Sequence, residues 1–175
     1  LPMRSKLGYP MRAYYEVTDT RTREVEPDPF FPIDETIRRT TLGGQAILDR
    51  LNDPLNPTAG TYLAADASWS SSKLGGQLDT LRTLLTGSLA VEPREGWTWY
   101  QSARLGLARG LRGTEVDPTI RFFAGGQSSI RGFERDLLGP LTLNDEGQPV
   151  PLGGNALFIL NEELRVPVWG PLRIA

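Results

Sequence analysis

Arg-Phe-Phe-Ala-Gly-Gly-Gln-Ser-Ser-Ile-Arg-Gly-Phe, residues 121–133, is a glycine-rich stretch that ends with an arginine between apolar neighbours. The adjacent Gly125 and Gly126 permit backbone conformations closed to other residues, so the segment can turn tightly or let another backbone come close. We expect this loop to dock against the protein and to carry Arg131 with it, and a buried guanidinium needs a carboxylate partner. Three aromatic residues of the stretch are also expected to be buried: Phe122, Phe123 and Phe133.

Six segments outside this loop alternate apolar and polar residues with a period of two, which is typical of β-strands. They are residues 8–20, 36–49, 62–72, 78–91, 97–109 and 155–168, and residues 172–175 resemble the start of another strand. Short turns join the third, fourth and fifth segments, which predicts an antiparallel meander. The charged, proline-containing residues 21–32 are predicted to form a loop. The alternation stops over residues 110–154, and a loop of that length is usually functional or disordered.

Composition excludes several classes of function. The chain of 175 residues has a formal net charge of −2, which argues against a general nucleic-acid-binding protein. It contains no cysteine and no histidine, so a disulfide framework, a thiolate zinc site and a Ser-His-Asp triad are all excluded. No spacing of carboxylates or glycines selects a catalytic or phosphate-binding site. We therefore expect no enzymatic activity and no nucleotide or metal cofactor.

Three segments together resemble one protein family. Phe-Phe-Ala-Gly-Gly followed by Ser-Ile-Arg-Gly-Phe, within residues 122–133, resembles the signature loop of the BamA/TamA-type outer-membrane assembly and translocation barrels. Asp-Pro-Leu-Asn-Pro-Thr-Ala-Gly at residues 53–60 resembles the family's turn into a central strand. Gly-Gly-Asn-Ala through Glu-Leu-Arg-Val-Pro, at residues 153–167, resembles the strand after the signature loop. The segments occur in the family's order, and the resemblance covers roughly residues 40–175.

The resemblance implies an all-β fold, an antiparallel transmembrane β-barrel. Residues 1–175 would be a partial barrel domain, about strands seven to twelve of a sixteen-stranded barrel, with the signature loop (residues 110–154) folded into the lumen. Periplasmic domains and closing strands are expected to lie outside this chain. In such a barrel one face of each strand contacts lipid and the other lines the lumen. The leucines expected to face lipid are Leu81, Leu85, Leu105, Leu107, Leu160 and Leu164.

Aromatic residues near the strand ends suit the interface between membrane and water, although a soluble sheet could bury them as well. They are Trp69, Trp97, Trp99 and Tyr100. A soluble β-sandwich therefore stays open as the alternative fold, since six strands are enough to build one.

The resemblance also implies a site. Arg131, in the tip Arg131-Gly132-Phe133, is expected to lie against Glu163. Because the apolar residues of segment 155–168 are even-numbered, Glu163 points inward, and Glu162 points outward near a membrane edge. The family places a further carboxylate, an aspartate, on the next strand, beyond residue 175. The alternative is an exposed Arg131 paired with Glu134 or Asp136. The functional loop residues implied are Gly125, Gly126, Ile130, Arg131, Gly132 and Phe133.

For function, the resemblance implies the insertion of other barrel proteins into the bacterial outer membrane through an opened strand seam. Unfolded outer-membrane proteins would be the substrates and the lipid bilayer a partner. Accessory assembly lipoproteins or an inner-membrane-linked partner are further candidates, and nucleic acid is not. The alternatives are a polypeptide translocator, a passive pore, a barrel that anchors a fused patatin-like lipase, and a soluble β-sandwich binding module. A fragment without the seam is expected to be inactive by itself.

Overall fold

The computed structural model describes residues 2–4, 10–23, 34–127, 129–144, 146–169 and 172–174. Its ten strands are β1 (Pro2–Arg4), β2 (Pro10–Arg23), β3 (Asp34–Asp49), β4 (Gly60–Ser70), β5 (Thr80–Arg94), β6 (Trp97–Gly110), β7 (Leu141–Leu143), β8 (Pro149–Pro151), β9 (Ala156–Trp169) and β10 (Leu172–Ile174). Eight of them form one antiparallel sheet in the order β1-β2-β3-β4-β5-β6-β9-β10. Consecutive strands are thus neighbours, as in an up-and-down barrel, and the sheet is open at β1 and β10.

The six predicted strands are confirmed as β2, β3, β4, β5, β6 and β9, which contain between 11 and 16 residues each. Strands of this length can cross a bilayer when tilted. No helix in the described part of the chain is long and apolar enough to do so.

Several predicted boundaries are wrong. Residues 21–23, predicted as loop, continue β2, because their backbone pairs in register with residues 34–36 of β3. Residues 8–9, 24–32, 128, 145 and 175 of the predicted elements lie outside the described residues. Strand β4 ends at Ser70, two residues early, because Ser71 caps a short 3-10 helix, Ser72–Leu74, by accepting a hydrogen bond from the Lys73 amide. Strand β5 begins at Thr80, after this connection.

Residues 110–154 are also more ordered than the loss of alternation predicts. Strands β7 and β8 form a separate hairpin inside this segment, with Leu141 opposite Pro151 and Leu143 opposite Pro149. A second 3-10 helix, Pro118–Ile120, begins where the Asp117 carboxylate accepts a hydrogen bond from the Thr119 amide.

One face of the sheet is apolar and exposed. The register places Leu105 between Leu85 on β5 and Phe158 on β9, so large apolar side chains from neighbouring strands form a continuous surface. The six leucines predicted to face lipid all lie on this outer face and are 41–53% exposed. A sandwich would bury this face under a second sheet, and no second sheet covers it in the part of the chain described. The prediction of a barrel wall is therefore confirmed over the sandwich.

The signature loop covers part of the other face of the sheet, the inner face, over β5, β6 and β9. The main buried apolar cluster lies there, between the loop and strand β6, and consists of Ala108, Val116, Ile120 and Phe122. Tyr100 also belongs to the inner face, because it pairs with Glu163 in the ladder. Its predicted place at the membrane interface is wrong, since the Arg165 guanidinium lies 5.4 Å from the centre of its ring.

The two ends of the sheet differ in their connections. The β3–β4 turn (residues 50–59) and the hairpin at residues 95–96 lie at one end, called here the turn end. The β4–β5 connection and the signature loop lie at the opposite end, called the loop end.

Candidate functional site: a loop folded onto the inner face

The root of the signature loop is anchored by Phe122, which is buried against strand β6. Its ring lies over Gly106, where a Cβ atom would come within 2.7 Å of the ring carbons. The guanidinium of Arg82, on strand β5, lies 4.5 Å from the centre of this ring, and its Nε donates a hydrogen bond to the carbonyl of Ile120 at 3.1 Å. A cation over an aromatic face is attractive, and more so where water is excluded. The root of the loop thus lies on the inner face of the sheet, between a glycine of β6 and an arginine of β5.

A second anchor lies at the start of the loop. Asp79, just before β5, accepts hydrogen bonds from the hydroxyls of Ser71 and Ser72 and lies 3.6 Å from the Arg112 guanidinium. The hydroxyl of Ser72, followed by that of Ser71, holds the pKa of the Asp79 carboxyl below its ordinary value. The Asp79 carbonyl also accepts from the Leu111 amide at 2.8 Å, so the connection at residues 71–79 is tied to the first residues of the signature loop.

The middle of the loop folds back on itself through backbone bridges. Phe122 exchanges two hydrogen bonds with Gly154, at 2.9 and 2.8 Å, and the Leu138 amide donates to the Ala124 carbonyl at 2.9 Å. Gly125 has φ +114°, and a Cβ atom there would lie 2.1 Å from the carbonyl oxygen of Glu134. This is the close backbone approach that the paired glycines predict, and a side chain at this position would separate the two arms of the loop.

The tip of the loop reaches strand β9. The Ser129 carbonyl accepts a hydrogen bond from the Asn161 side chain at 3.1 Å, and the Arg131 guanidinium lies 3.3 Å from Oε2 of Glu163. Glu163 is the seventh residue after Ala156, so the tip lies about 23 Å down the strand from the loop end. The structure therefore brings together Arg131 and Glu163, the two charged residues that the sequence pairs.

Glu163 has a second partner that sequence reasoning missed. Its other oxygen, Oε1, accepts from Nε of Arg165. The Arg165 side chain is only 17% exposed, whereas that of Arg131 is 78% exposed. Because residues two apart in a strand share a face, Arg165 is predicted to point inward beside Glu163. The sequence does not show that it is the better shielded of the two arginines. The site is thus a carboxylate between two arginines, one on the wall and one on the loop.

Some of the predicted loop residues lie differently from the expectation. Phe133 is 51% exposed and Phe123 is also exposed, although both were expected to be buried. The reason is geometric, because an open sheet covers the loop from one side only. Gly132 has φ +89° and open space where a Cβ would be, and Ile130 is half-buried and bridges to Gly126.

The neighbouring carboxylates have partners of their own. Asp136 pairs with Arg135 at 3.6 Å, both of them exposed. Glu162 is exposed on the outer face, as its position in the strand predicts, and accepts from the Gln101 amide at 2.6 Å. The alternative pairing of Arg131 with Asp136 is therefore not the arrangement seen.

Replacement of Gly106 by alanine tests the root anchor. The new methyl group would lie 2.7 Å from the Phe122 ring, so the ring must move and the loop root must loosen, at a cost of about 1–3 kcal/mol. The matched control is Gly44→Ala on the outer face, where a Cβ would meet only the Arg12 carbonyl, at 3.7 Å. Limited proteolysis should cut residues 110–154 faster in the first variant alone. Equal cleavage in both variants would contradict this account of the root.

The chain was compared with known proteins. A sequence model of the Omp85 superfamily domain matches residues 11–174. A SAM50-like protein of Schizosaccharomyces pombe is 30% identical over 107 residues, which are 61% of this chain and 20% of the relative. The outer membrane protein assembly factor BamA of Neisseria meningitidis is 32% identical over 75 residues, 42% of this chain and 9% of the relative. This chain is therefore similar to a fifth or less of each curated relative's length.

A solved structure is similar as well. BamA from Haemophilus ducreyi lacking POTRA domains 1–3 superposes with a TM-score of 0.69 at 17% identity. The superposition covers 95% of this chain and 39% of that one. At this identity the likeness concerns the fold, and the fold it shows is a wall of a transmembrane barrel.

Proposed function

This chain belongs to the Omp85 superfamily, and we propose that it forms part of a bacterial outer-membrane barrel that assembles other β-barrel proteins into the membrane. One relative is named an outer membrane protein assembly factor and another a SAM50-like protein. These names favour assembly over polypeptide translocation, a passive pore or the anchoring of a fused patatin-like enzyme. Unfolded outer-membrane proteins are the proposed substrates, and accessory lipoproteins or an inner-membrane-linked partner remain candidates beside them.

The observation that carries the proposal is the signature loop on the inner face of a wall whose outer face is apolar. The loop reaches from the loop end to Glu163 and contacts β5, β6 and β9 on its way. We propose that it braces these strands while a seam elsewhere in the barrel opens to admit a substrate. The substrate buries its apolar face in lipid as it folds, and this burial drives insertion without nucleotide or metal.

Assembly by the Arg131→Ala variant tests the proposal. The whole protein is reconstituted in liposomes, and the folding of a urea-unfolded eight-stranded outer-membrane barrel is followed by its electrophoretic mobility. We expect the variant to assemble this substrate up to about fivefold more slowly, the effect of losing an ion pair whose arginine is largely exposed. Glu134→Ala, which changes an exposed neighbour, should keep the wild-type rate. The proposal would be refuted if liposomes with the wild-type protein folded the substrate no faster than empty liposomes. It would also be refuted if the Arg131→Ala variant assembled the substrate at the wild-type rate.

A further inference from the structure

The Arg165 side chain joins two parts of the inner face that are far apart in sequence. Its Nη1 donates to Oδ1 of Asn56 at 2.9 Å and to the carbonyl of Pro57 at 3.2 Å, while its Nε donates to Glu163. Glu163 in turn contacts Arg131. We propose that Arg165 is a positioning residue that couples the β3–β4 turn at the turn end to the tip of the signature loop.

The β3–β4 turn is built to present its two acceptors rigidly. The Asn52 side chain donates to the Thr58 hydroxyl at 2.8 Å and accepts from the amides of Thr58 and Ala59 at 3.1 Å. The Asp53 carboxylate accepts a hydrogen bond from the backbone N–H of Asn56 at 3.2 Å, and Pro57 is buried. Because both arms of the turn are fixed, the Asn56 amide oxygen and the Pro57 carbonyl meet the guanidinium in one orientation.

The position of the turn is unusual for a connection between neighbouring strands. Strand β9 is separated from β4 by β5 and β6, so the turn reaches across three strand spacings, about 14 Å. Such a contact requires the turn to fold over the inner face, towards the site where the loop tip arrives from the opposite end. The turn therefore contacts Arg165, and the loop tip contacts Glu163, the ion-pair partner of Arg165.

Arg165 determines how Glu163 faces the loop. The guanidinium is a planar fork, and here Nη1 is held by the turn, Nε by Oε1 of Glu163, and one face by the Tyr100 ring. With Oε1 held, Oε2 is the oxygen directed at Arg131. A displaced turn would free the guanidinium to rotate, and the carboxylate that receives the loop tip would rotate with it.

The consequence for assembly rests on the proposed function. The turn end lies on the side opposite the long loops, so a polypeptide that displaces the β3–β4 turn from that side would weaken the anchor of the loop tip. By reciprocity of coupled equilibria, a change at the tip must also alter the turn. The coupling itself can be measured without any assembly assay.

Hydrogen exchange of the whole protein in lipid nanodiscs tests the coupling. The readout is the exchange of the Gly126 and Ser129 amides, which donate to the carbonyls of Phe133 and Gly126 within the loop. Asn56→Ala should accelerate their exchange by up to about fivefold, because the change reaches the loop tip through the largely exposed Arg131–Glu163 ion pair. Asn56→Asp, which keeps an acceptor oxygen, should restore slow exchange. Leu55→Ala, which changes an almost fully exposed residue of the same turn, should leave it unchanged.

The reciprocal variant completes the test. Arg131→Ala should accelerate exchange of the Thr58 and Ala59 amides in the turn, although Arg131 does not belong to it. Exchange at the loop tip that is the same for Asn56→Ala and wild type would overturn the inference. Equal acceleration by Asn56→Ala and Leu55→Ala would also overturn it, because it would indicate general loosening. If coupling is present while liposome assembly fails, the proposed function is wrong and the positioning role of Arg165 stands.

Discussion

Glu163→Ala is expected to lower the free energy of unfolding by about 3–5 kcal/mol, as when one partner is removed from a shielded ion pair. The carboxylate lies between Arg165 and Arg131, and its side chain is only 20% exposed. Its loss leaves the Arg165 guanidinium, which is shielded from water, without a counter-charge. It also releases the loop tip, so destabilisation and loosening of the loop should appear together.

Two matched variants separate this effect from ordinary changes in strand β9. Arg131→Ala should cost only about 0.2–1 kcal/mol, because Arg131 is largely exposed and Arg165 still neutralises the carboxylate. Glu162→Ala removes the adjacent carboxylate on the outer face, where its partner is an uncharged amide. Urea unfolding of the whole protein in lipid vesicles measures all three. If the Glu163→Ala variant is as stable as Glu162→Ala, then the contacts of Glu163 with Arg131 and Arg165 do not stabilise the protein as expected.

Leu85→Arg should destabilise the barrel by about 2–4 kcal/mol, the cost of a cationic side chain at the bilayer midplane on the lipid face. Leu85 lies near the middle of β5, paired with Ala65 on β4 and Leu105 on β6, and its side chain is exposed on the outer face. In water an arginine at an exposed site would be well tolerated. The sign and size of the effect therefore report whether this face meets lipid.

The control for this change is Ser88→Arg. Ser88 is three residues away on the same strand and points to the inner face, where polar side chains line the lumen. Folding yields of both variants in lipid vesicles, measured by heat-modifiable electrophoretic mobility, give the comparison. Equal yields, or a whole protein that folds in buffer without detergent or lipid, would contradict a membrane barrel.

The faces of the strands could be predicted from the sequence because side chains alternate with a period of two. Leu105 and Leu160 face outward and Glu163 faces inward by that rule alone. The approach of Arg131 to Glu163 followed from the same rule, from the family resemblance and from a loop long enough to return. The functional role of this contact stays a prediction until the variants are measured.

The contacts of Arg165 could not be predicted in this way. Arg165 and Asn56 are 109 residues apart, and their contact depends on a turn that crosses the ends of two intervening strands. Local periodicity contains no information about where a turn folds. The β7–β8 hairpin was missed for a related reason, because its strands have three residues each, too short for an alternating pattern, and β8 contains two prolines.

Cross-linking of the loop to the barrel wall in cells tests the central claim most directly. The sequence contains no cysteine, so Ser129→Cys combined with Asn161→Cys creates one reactive pair. The backbone carbonyl of Ser129 lies 3.1 Å from the Asn161 side chain, while the Ser129 side chain points to Gly125, so the reagent has to span more than this distance. The control pairs Ser129→Cys with Leu160→Cys, the neighbouring position on the outer face. In the whole protein in outer membranes, a short thiol-to-thiol reagent should join the first pair and leave the second unjoined. No cross-link in the first pair, or equal cross-linking in both, would show that the loop does not lie on the inner face.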